Sequence, residues 1–584
     1  MAAIAVGLVG TSLLLGPTHG SLGLMGAMAA NAGRDNSMRR RVRTLLVVGA
    51  TTLGCQTLGL LIAPYPWLVP PVMTVLTLMV VWAWHALVTG PPGPINTVFA
   101  GAFGTYMGTH GWTVTTLVPI TALAWLLASL TSVAILAADP HGLDREAVDA
   151  ADGAVATYRD LPDDTPASHR AAARTRAWVA VDEAWYALRT DRTPGTVPLT
   201  ASGRDLEERL RGIHLNLVAS LHAESFPTDH LDIAEHFDLV PLGRPDVGYL
   251  LRTGAQRGSR ARLVAGRAAV AVLLAASTMF VSPVGHPYWA ILSALIVLHM
   301  GASRMGLTIR ALHRVVGTGV GVGVYLLIVL AQPGQWARIG IVIVSILALE
   351  ALVRRNYAVA VVFVTVFALM MTPITSPGEI TALMRDRFVE TVIGAGAAVL
   401  VTWLVGRRAP VLLVRRQYRL TLASMMLVLQ DLAAGRDDGV GPDRTARTAQ
   451  TARGGHDGAA TPHHQARPGA PRHLGPDELA VRARRRNLVF ELGRAGAILA
   501  AQRPDDPAAL APWEDLQREV SLLGFDVVAA AWRDPGAGAA AARDAHRGLA
   551  ALVAALPPIS SVNIDPRAVS RQVASLHADY LAAA

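Results

Sequence analysis

Arginine is the residue type that brings chemistry to this chain. Arg310 and Arg314 stand four apart at the head of a long apolar run, which on a helix places two guanidiniums on one face. Such a pair can grip a carboxylate through forked, charge-assisted hydrogen bonds. It can equally anchor the cytoplasmic end of a span, and the spacing allows both readings. Glu390 lies near the outer end of the last apolar run, with Arg387 three residues before it. A charge at the bilayer centre costs at least about 2.5–3.5 kcal/mol, so an ionisable group inside a span reads as functional by default; a paired structural role competes with that reading. Glu350, with Arg354 four residues later, reads as an interfacial ion pair. His286, Tyr288 and Trp289 open a short apolar run. Trp289 is there either a member of the interfacial aromatic belt or a wall for a ring-bearing substrate. Gly317, Gly319, Gly321 and Gly323 form overlapping small-xxx-small patterns, suited to close helix packing or to a flexible pore-lining helix.

The residues that are missing exclude other chemistry. All 52 residues in the Lys and Arg count are arginine, and without lysine there is neither a Walker A phosphate loop nor a pyridoxal Schiff base. A single cysteine, Cys55, excludes intrachain disulfides, Cys-rich zinc sites and cysteine-ligated iron–sulfur clusters. No Ser/His/Asp or zinc motif appears, so the sequence reads as that of a non-enzyme without metal or cofactor. His456, His463, His464 and His473 fall in a Gly, Pro, Arg and Asp-rich stretch that reads as a solvated linker. The isoelectric point near 10.2 comes without a basic stripe interleaved with aromatics, so nucleic acid is not an expected partner.

The elements that must position these groups are set by hydropathy. The 584 residues are 52% hydrophobic and 16% charged, with mean hydropathy +0.38, a membrane composition. Residues 1–137 and 264–406 hold only five of the 43 acids: Asp35, Glu350, Glu379, Asp386 and Glu390. Each of these blocks shows six apolar runs, at about 2–16, 20–32, 44–63, 67–88, 95–109 and 113–137, then 267–282, 286–300, 311–331, 336–353, 357–372 and 388–405. The first run lacks a basic leader and a cleavage site, so it is read as a span. The expected fold is therefore an all-α polytopic membrane protein of about twelve transmembrane helices. Cytoplasmic helical regions are expected at 138–263 and 407–584, with a disordered linker over 434–475.

Arginine-rich loops alternate with tips that lack arginine, apart from Arg338, Arg385 and Arg387 on the outer side, which places both termini and both soluble regions in the cytoplasm. In each block a His at a tip, a short second run, an arginine pair four apart and a long run follow in order: His19, then Arg39 and Arg43; His286, then Arg310 and Arg314. The blocks therefore read as two parallel six-helix repeats. Short segments at corresponding places in two repeats often bracket a transporter's binding site, which points to 20–32 and 286–300.

Several motifs of the second block occur together: His286-Pro287-Tyr288-Trp289-Ala290, Arg310 to Gly321, Asn356-Tyr357-Ala358 and Arg387 to Gly394. In this order they resemble the fusaric acid resistance family of inner-membrane proteins, which includes aromatic carboxylic acid exporters. The resemblance covers about 264–406 well, the first block more weakly and the soluble regions hardly. It implies a cell-membrane protein that moves organic anions, with efflux of aromatic carboxylic acids as the first expectation. A passive organic-anion channel and a non-transporting envelope scaffold or sensor are the alternatives. Arg310, Arg314, His286, Tyr288, Trp289, Asn356, Tyr357, Arg387 and Glu390 are the candidate substrate-binding residues, with His19, Arg39 and Arg43 as first-block counterparts. The expected partners are the lipid bilayer and the organic anion; the sequence specifies neither a homo-oligomer nor an accessory efflux subunit.

Overall fold

A computed structural model describes residues 2–34, 38–89, 93–162, 164–189, 201–225, 244–280, 288–299, 303–353, 355–370, 377–406, 408–436, 476–531, 538–559 and 564–583. His286, Arg354 and the histidines of the expected linker lie outside the described residues, as does 437–475 as a whole. Among the described residues all regular structure is helical. The first elements are α1 (Ala2–Leu15), α2 (Pro17–Gly20), α3 (Leu24–Ala29), α4 (Met38–Ile62), α5 (Val69–Ala86), α6 (Ile95–Thr109) and α7 (Val114–Ala138). Then come α8 (Gly142–Arg159), α9 (Ala167–Arg189), α10 (Ala201–Ser225) and α11 (Val247–Ala255). The second apolar block contains α12 (Arg260–Ser277), α13 (Tyr288–Leu298), α14 (Arg304–Leu330), α15 (Gln335–Leu352), α16 (Tyr357–Met370) and α17 (Pro377–Leu404). The chain ends with α18 (Ala409–Ala433), α19 (Pro476–Gln502), α20 (Pro507–Ala530), α21 (Ala539–Ala555) and α22 (Pro566–Ala583).

The chain divides into two compact units: Met1–Pro140 with Val247–Ala409, and His141–Asp246 with Pro410–Ala584. In the first unit, seven helical segments among the described residues are long and apolar enough to cross a membrane: Arg40–Ile62, Pro66–Ala86, Val114–Ala138, Arg260–Phe280, Arg304–Leu330, Gln335–Leu352 and Glu379–Leu404. Ala2–Leu15, Tyr288–Leu298 and Tyr357–Met370 are apolar but shorter. The second run of the sequence is not one helix. Gly16 adopts φ 85°, which favours glycine, and the chain doubles back so tightly that a Cβ on Gly20 would lie 2.3 Å from the Ser12 Cα. Run twelve begins earlier than expected: α17 starts at Pro377, so Arg385, Asp386 and Arg387 are helical residues and not loop residues. Likewise α14 starts at Arg304, and Arg310 and Arg314 sit within it.

Glycines set the closest helix contacts. A Cβ on Gly317 would stand 2.5 Å from the Ala358 carbonyl and one on Gly321 2.6 Å from the Thr365 Cβ, whereas Gly323 faces open space. The glycine pattern in α14 thus serves packing against α16. In the first block α4 packs along α6 in the same way, with Gly59 against the Gly101 carbonyl and Gly104 against the Gln56 carbonyl. Further pairings run in parallel: α1 and α3 lie against α7, and α12 and α13 lie against α17. The two blocks also meet each other, with α5 along α12 and α6 against α13, and a single apolar core runs through both. α11 joins this unit, although its sequence lies in the expected soluble region. It packs on α5, where Trp82 Nε1 donates to the Gly254 carbonyl at 3.2 Å.

In the second unit, segments far apart in sequence share one core. Trp178 of α9 packs against Phe525 of α20, with ring centroids 5.7 Å apart. Trp185 Nε1 donates to His214 Nδ1 at 2.7 Å, and burial pulls the His214 imidazole down to about 3. Gln417 of α18 donates to the buried Glu491 carboxylate of α19 at 2.6 Å, while Arg484 clasps Asp431 with bonds of 2.6 and 2.8 Å.

Candidate functional site

α13 is apolar around its whole circumference, and all eleven of its residues are buried, as expected for a helix with no polar face. Its first turn presents Tyr288 and Trp289. α17 places Arg387, Glu390 and Gly394 at helical spacing toward it; a Cβ on Gly394 would lie 2.2 Å from the Ala290 carbonyl. α14 begins at a Ser303 cap that accepts from the Gly306 N–H at 3.1 Å. Its buried stripe is Leu307, Ala311, Arg314, Thr318, Gly321 and Tyr325, so Arg314 occupies a core position of the helix. Arg310, one residue out of phase, is half-buried.

The relative exposures are 0% for Arg314, 0% for Arg387 and 1% for Glu390. Arg387 has Arg314, Tyr288, Glu390 and Tyr357 as electrostatic neighbours, and Tyr357 is also a neighbour of Arg314. The Arg387 guanidinium lies over the Trp289 ring, 3.9 Å from its centroid, a cation–π contact in a desolvated setting. Its Nε, Nη1 and Nη2 have no hydrogen-bond acceptor among the described residues, and neither do Nε and Nη2 of Arg314. Trp289 Nε1 and Ser293 Oγ are also buried without a hydrogen bond among the described residues. Buried polar atoms are nearly always satisfied, and each unmet donor costs about 1–3 kcal/mol. A concentration of unmet donors with two buried cations has the chemistry that suits an anion.

Trp289 links this cationic cluster to an apolar cavity of about 20 Å³. Ser21, Leu22, Leu24 and Met25 line it from the first block's short segment, with Phe99 and Phe103 of α6, Trp289 of α13, and Phe367 and Ala368 of α16. Both short segments singled out in the sequence therefore border one cavity. Aromatic contacts continue around it: Phe99 to Trp289 at 6.0 Å, and Tyr106 to Tyr288 at 4.5 Å between centroids.

The motifs noted in the sequence contribute Tyr288, Trp289, Arg314, Tyr357, Arg387 and Glu390 to this site. Residues 271–401 match the fusaric acid resistance protein-like family. Neither a curated protein nor a solved structure matches the chain. The fusaric acid resistance protein-like segment runs from within α12 to near the end of α17, and it carries Tyr288, Trp289, Arg314, Tyr357, Arg387 and Glu390.

Other candidates have different places. Trp289 is 2% exposed, which rules out the lipid-facing belt position. Arg310 Nε donates to the Ile296 carbonyl at 3.2 Å, and its guanidinium lies 3.9 Å from the Tyr357 ring centroid; it flanks the site. Asn356 is exposed, and its Oδ1 accepts from the Val359 N–H at 3.3 Å, so it caps α16. His19 is exposed and meets Trp112 edge-on at 5.8 Å. Arg43 is exposed, and the Arg39 side chain lies outside the described residues. The buried arginine of that region is instead Arg41, whose guanidinium donates to the Ala30 and Ala32 carbonyls at 2.8 and 3.0 Å and to Ser132 Oγ at 2.6 Å. With its donors engaged by its own chain, Arg41 fixes the end of α3. Glu350 accepts from Asn31 at 2.9 Å and from Arg34 at 3.2 Å, an ion pair between the blocks; Arg354, the partner expected from the sequence, lies outside the described residues.

The sequence reading missed Phe99, Phe103, Tyr106 and Ser293. An aromatic stripe at 99, 103 and 106 was available as a signal, since those positions share one helical face.

Proposed function

We propose that this protein is a cell-membrane transporter that exports organic anions, with aromatic carboxylates as its substrate class. The observation that carries this reading is the pair of wholly buried guanidiniums, Arg314 and Arg387, with donors that no described residue accepts. A substrate carboxylate would supply the acceptors through forked contacts, and its ring would lie along Trp289 and the Phe99–Phe103 wall. The cavity has room for about one water, so the site is closed in this conformation, which favours a carrier over an open channel. No bond is made or broken in this reading, and the protein acts without an enzymatic step.

The two apolar blocks are read as parallel copies of one six-segment unit with both termini cytoplasmic. Their parallel pairings support the duplication, and the arginine-rich loops support the orientation. Purified protein in liposomes should move labelled benzoate, and absence of flux in either direction would overturn transport and leave the scaffold. Flux that carries macroscopic current and ignores a pH gradient would identify a channel. A periplasm-active reporter fused after Ala433 should stay dark.

A further inference from the structure

Resting on the anion-transport reading, we propose that Glu390 sets the charge of the anion the site accepts, tuning it to a monoanion. Arg387 and Glu390 are three apart on α17, both are buried, and Arg314 stands within electrostatic reach of Arg387. Among the described residues the wholly buried charges of this cluster are Arg314, Arg387 and Glu390, net +1, and Asp386, 4% exposed, is paired with Arg385. Arg310 adds charge only at the edge, half-buried and bonded to the Ile296 carbonyl.

In a low-dielectric interior an unbalanced charge is costly. One monocarboxylate brings the buried set to neutrality while Glu390 stays ionised. A dianion of the same ring would leave one negative charge uncompensated. Without Glu390 the set would carry two positive charges, and a dianion would balance it. Glu390 is therefore a specificity-determining residue that need not touch the substrate; it occupies part of the positive charge so that only one unit is left to recruit.

Benzoate and phthalate share a ring and differ by one carboxylate, so they separate these cases. Titration of the full-length protein in nanodiscs at neutral pH, where both phthalate carboxyls are ionised, should show benzoate preferred by at least about tenfold. Glu390→Gln should shift the benzoate-to-phthalate affinity ratio toward phthalate by at least about tenfold. Arg387→Gln, which makes the buried set neutral, should lose benzoate binding. The double variant Arg387→Gln/Glu390→Gln restores net +1 and should bind benzoate at least about tenfold more tightly than Arg387→Gln alone, while staying below wild type because the Arg387 fork is gone; a merely structural role for Glu390 would not produce that partial rescue. It also keeps the test decisive if Glu390→Gln fails to fold.

An unchanged ratio in Glu390→Gln, or no rescue in the double variant, would overturn the proposal while wild-type benzoate binding left the transporter reading intact. Wild-type protein that binds neither probe would overturn both.

Discussion

Replacing Arg387 by lysine keeps the charge and removes the geometry. The native guanidinium lies 3.9 Å over the Trp289 ring and offers three nitrogens with no acceptor among the described residues. A lysine ammonium is a compact point charge without the planar fork. One lost hydrogen bond to a charged group is worth about 1.5–3 kcal/mol, and the stacked contact adds about 0.5–2 kcal/mol in a desolvated site. The expected loss in Arg387→Lys is therefore about 2–5 kcal/mol, or roughly thirty- to five-thousandfold in benzoate affinity. Arg314→Lys, which has no ring beneath it, should lose about 1.5–3 kcal/mol, roughly ten- to a hundred-and-fiftyfold. Arg310→Lys and Arg43→Lys are internal controls. The first side chain already donates to a backbone carbonyl and the second is exposed, so both should stay within about tenfold of wild type. Affinity is measured by titration, and initial rates of uptake into inverted vesicles are scaled to expression. Wild-type affinity in both Arg314→Lys and Arg387→Lys would show that no carboxylate is held by these forks, and the binding argument would fall.

Asn356→Ala should lower thermal stability by about 1 kcal/mol, through the lost α16 cap, and leave benzoate affinity unchanged in the same titration. Gly394→Ala forces a Cβ to within 2.2 Å of the Ala290 carbonyl, so α13 must shift; a stability loss of about 1–3 kcal/mol with weakened benzoate binding is expected in melts and titrations. His214 gains its proton near its ordinary 6.5 when unfolded and only at about 3 when folded. The unfolded state therefore binds more protons between those values, and stability falls as pH drops from about 6.5 toward 3, by up to about 1.4 kcal/mol per pH unit. Denaturant titrations at several pH values should show that slope, and His214→Gln should flatten it.

Much of the architecture was legible because burial leaves a periodic trace. The seven long apolar helices and the packing glycines of α14 follow from hydropathy and small-residue spacing. The helices carrying Trp178, Trp185, Leu210 and Leu217 follow from 3.6-residue periodicity. The broken segment around Gly20 and Gly23 was not legible, since an apolar run looks alike whether straight or folded back. Arg314 was readable as a candidate, but its complete burial was not, because an arginine near a helix start resembles a topology anchor. Its phase was the available clue, in step with Leu307, Ala311, Thr318 and Tyr325, where Arg310 is not. Trp289 was harder still. Its burial depends on α6 and α17, which lie far away in sequence. The apparent symmetry of the arginine pairs was misleading for the same reason: Arg41, and not Arg43, faces inward in the first block, where backbone carbonyls consume its donors.

The complete burial of α13 has a consequence for how the protein is made. This helix leaves the ribosome about a hundred residues before Leu404, a delay on the order of 5–20 s at ordinary rates of synthesis. Throughout that interval Tyr288 and Trp289 lack the α17 surface that will cover them, and the guanidinium destined for the Trp289 ring has not been translated. The cationic cluster is thus among the last features the nascent chain completes, and a product truncated ahead of Arg387 would keep most of its apolar helices and Arg314 while lacking both Arg387 and Glu390.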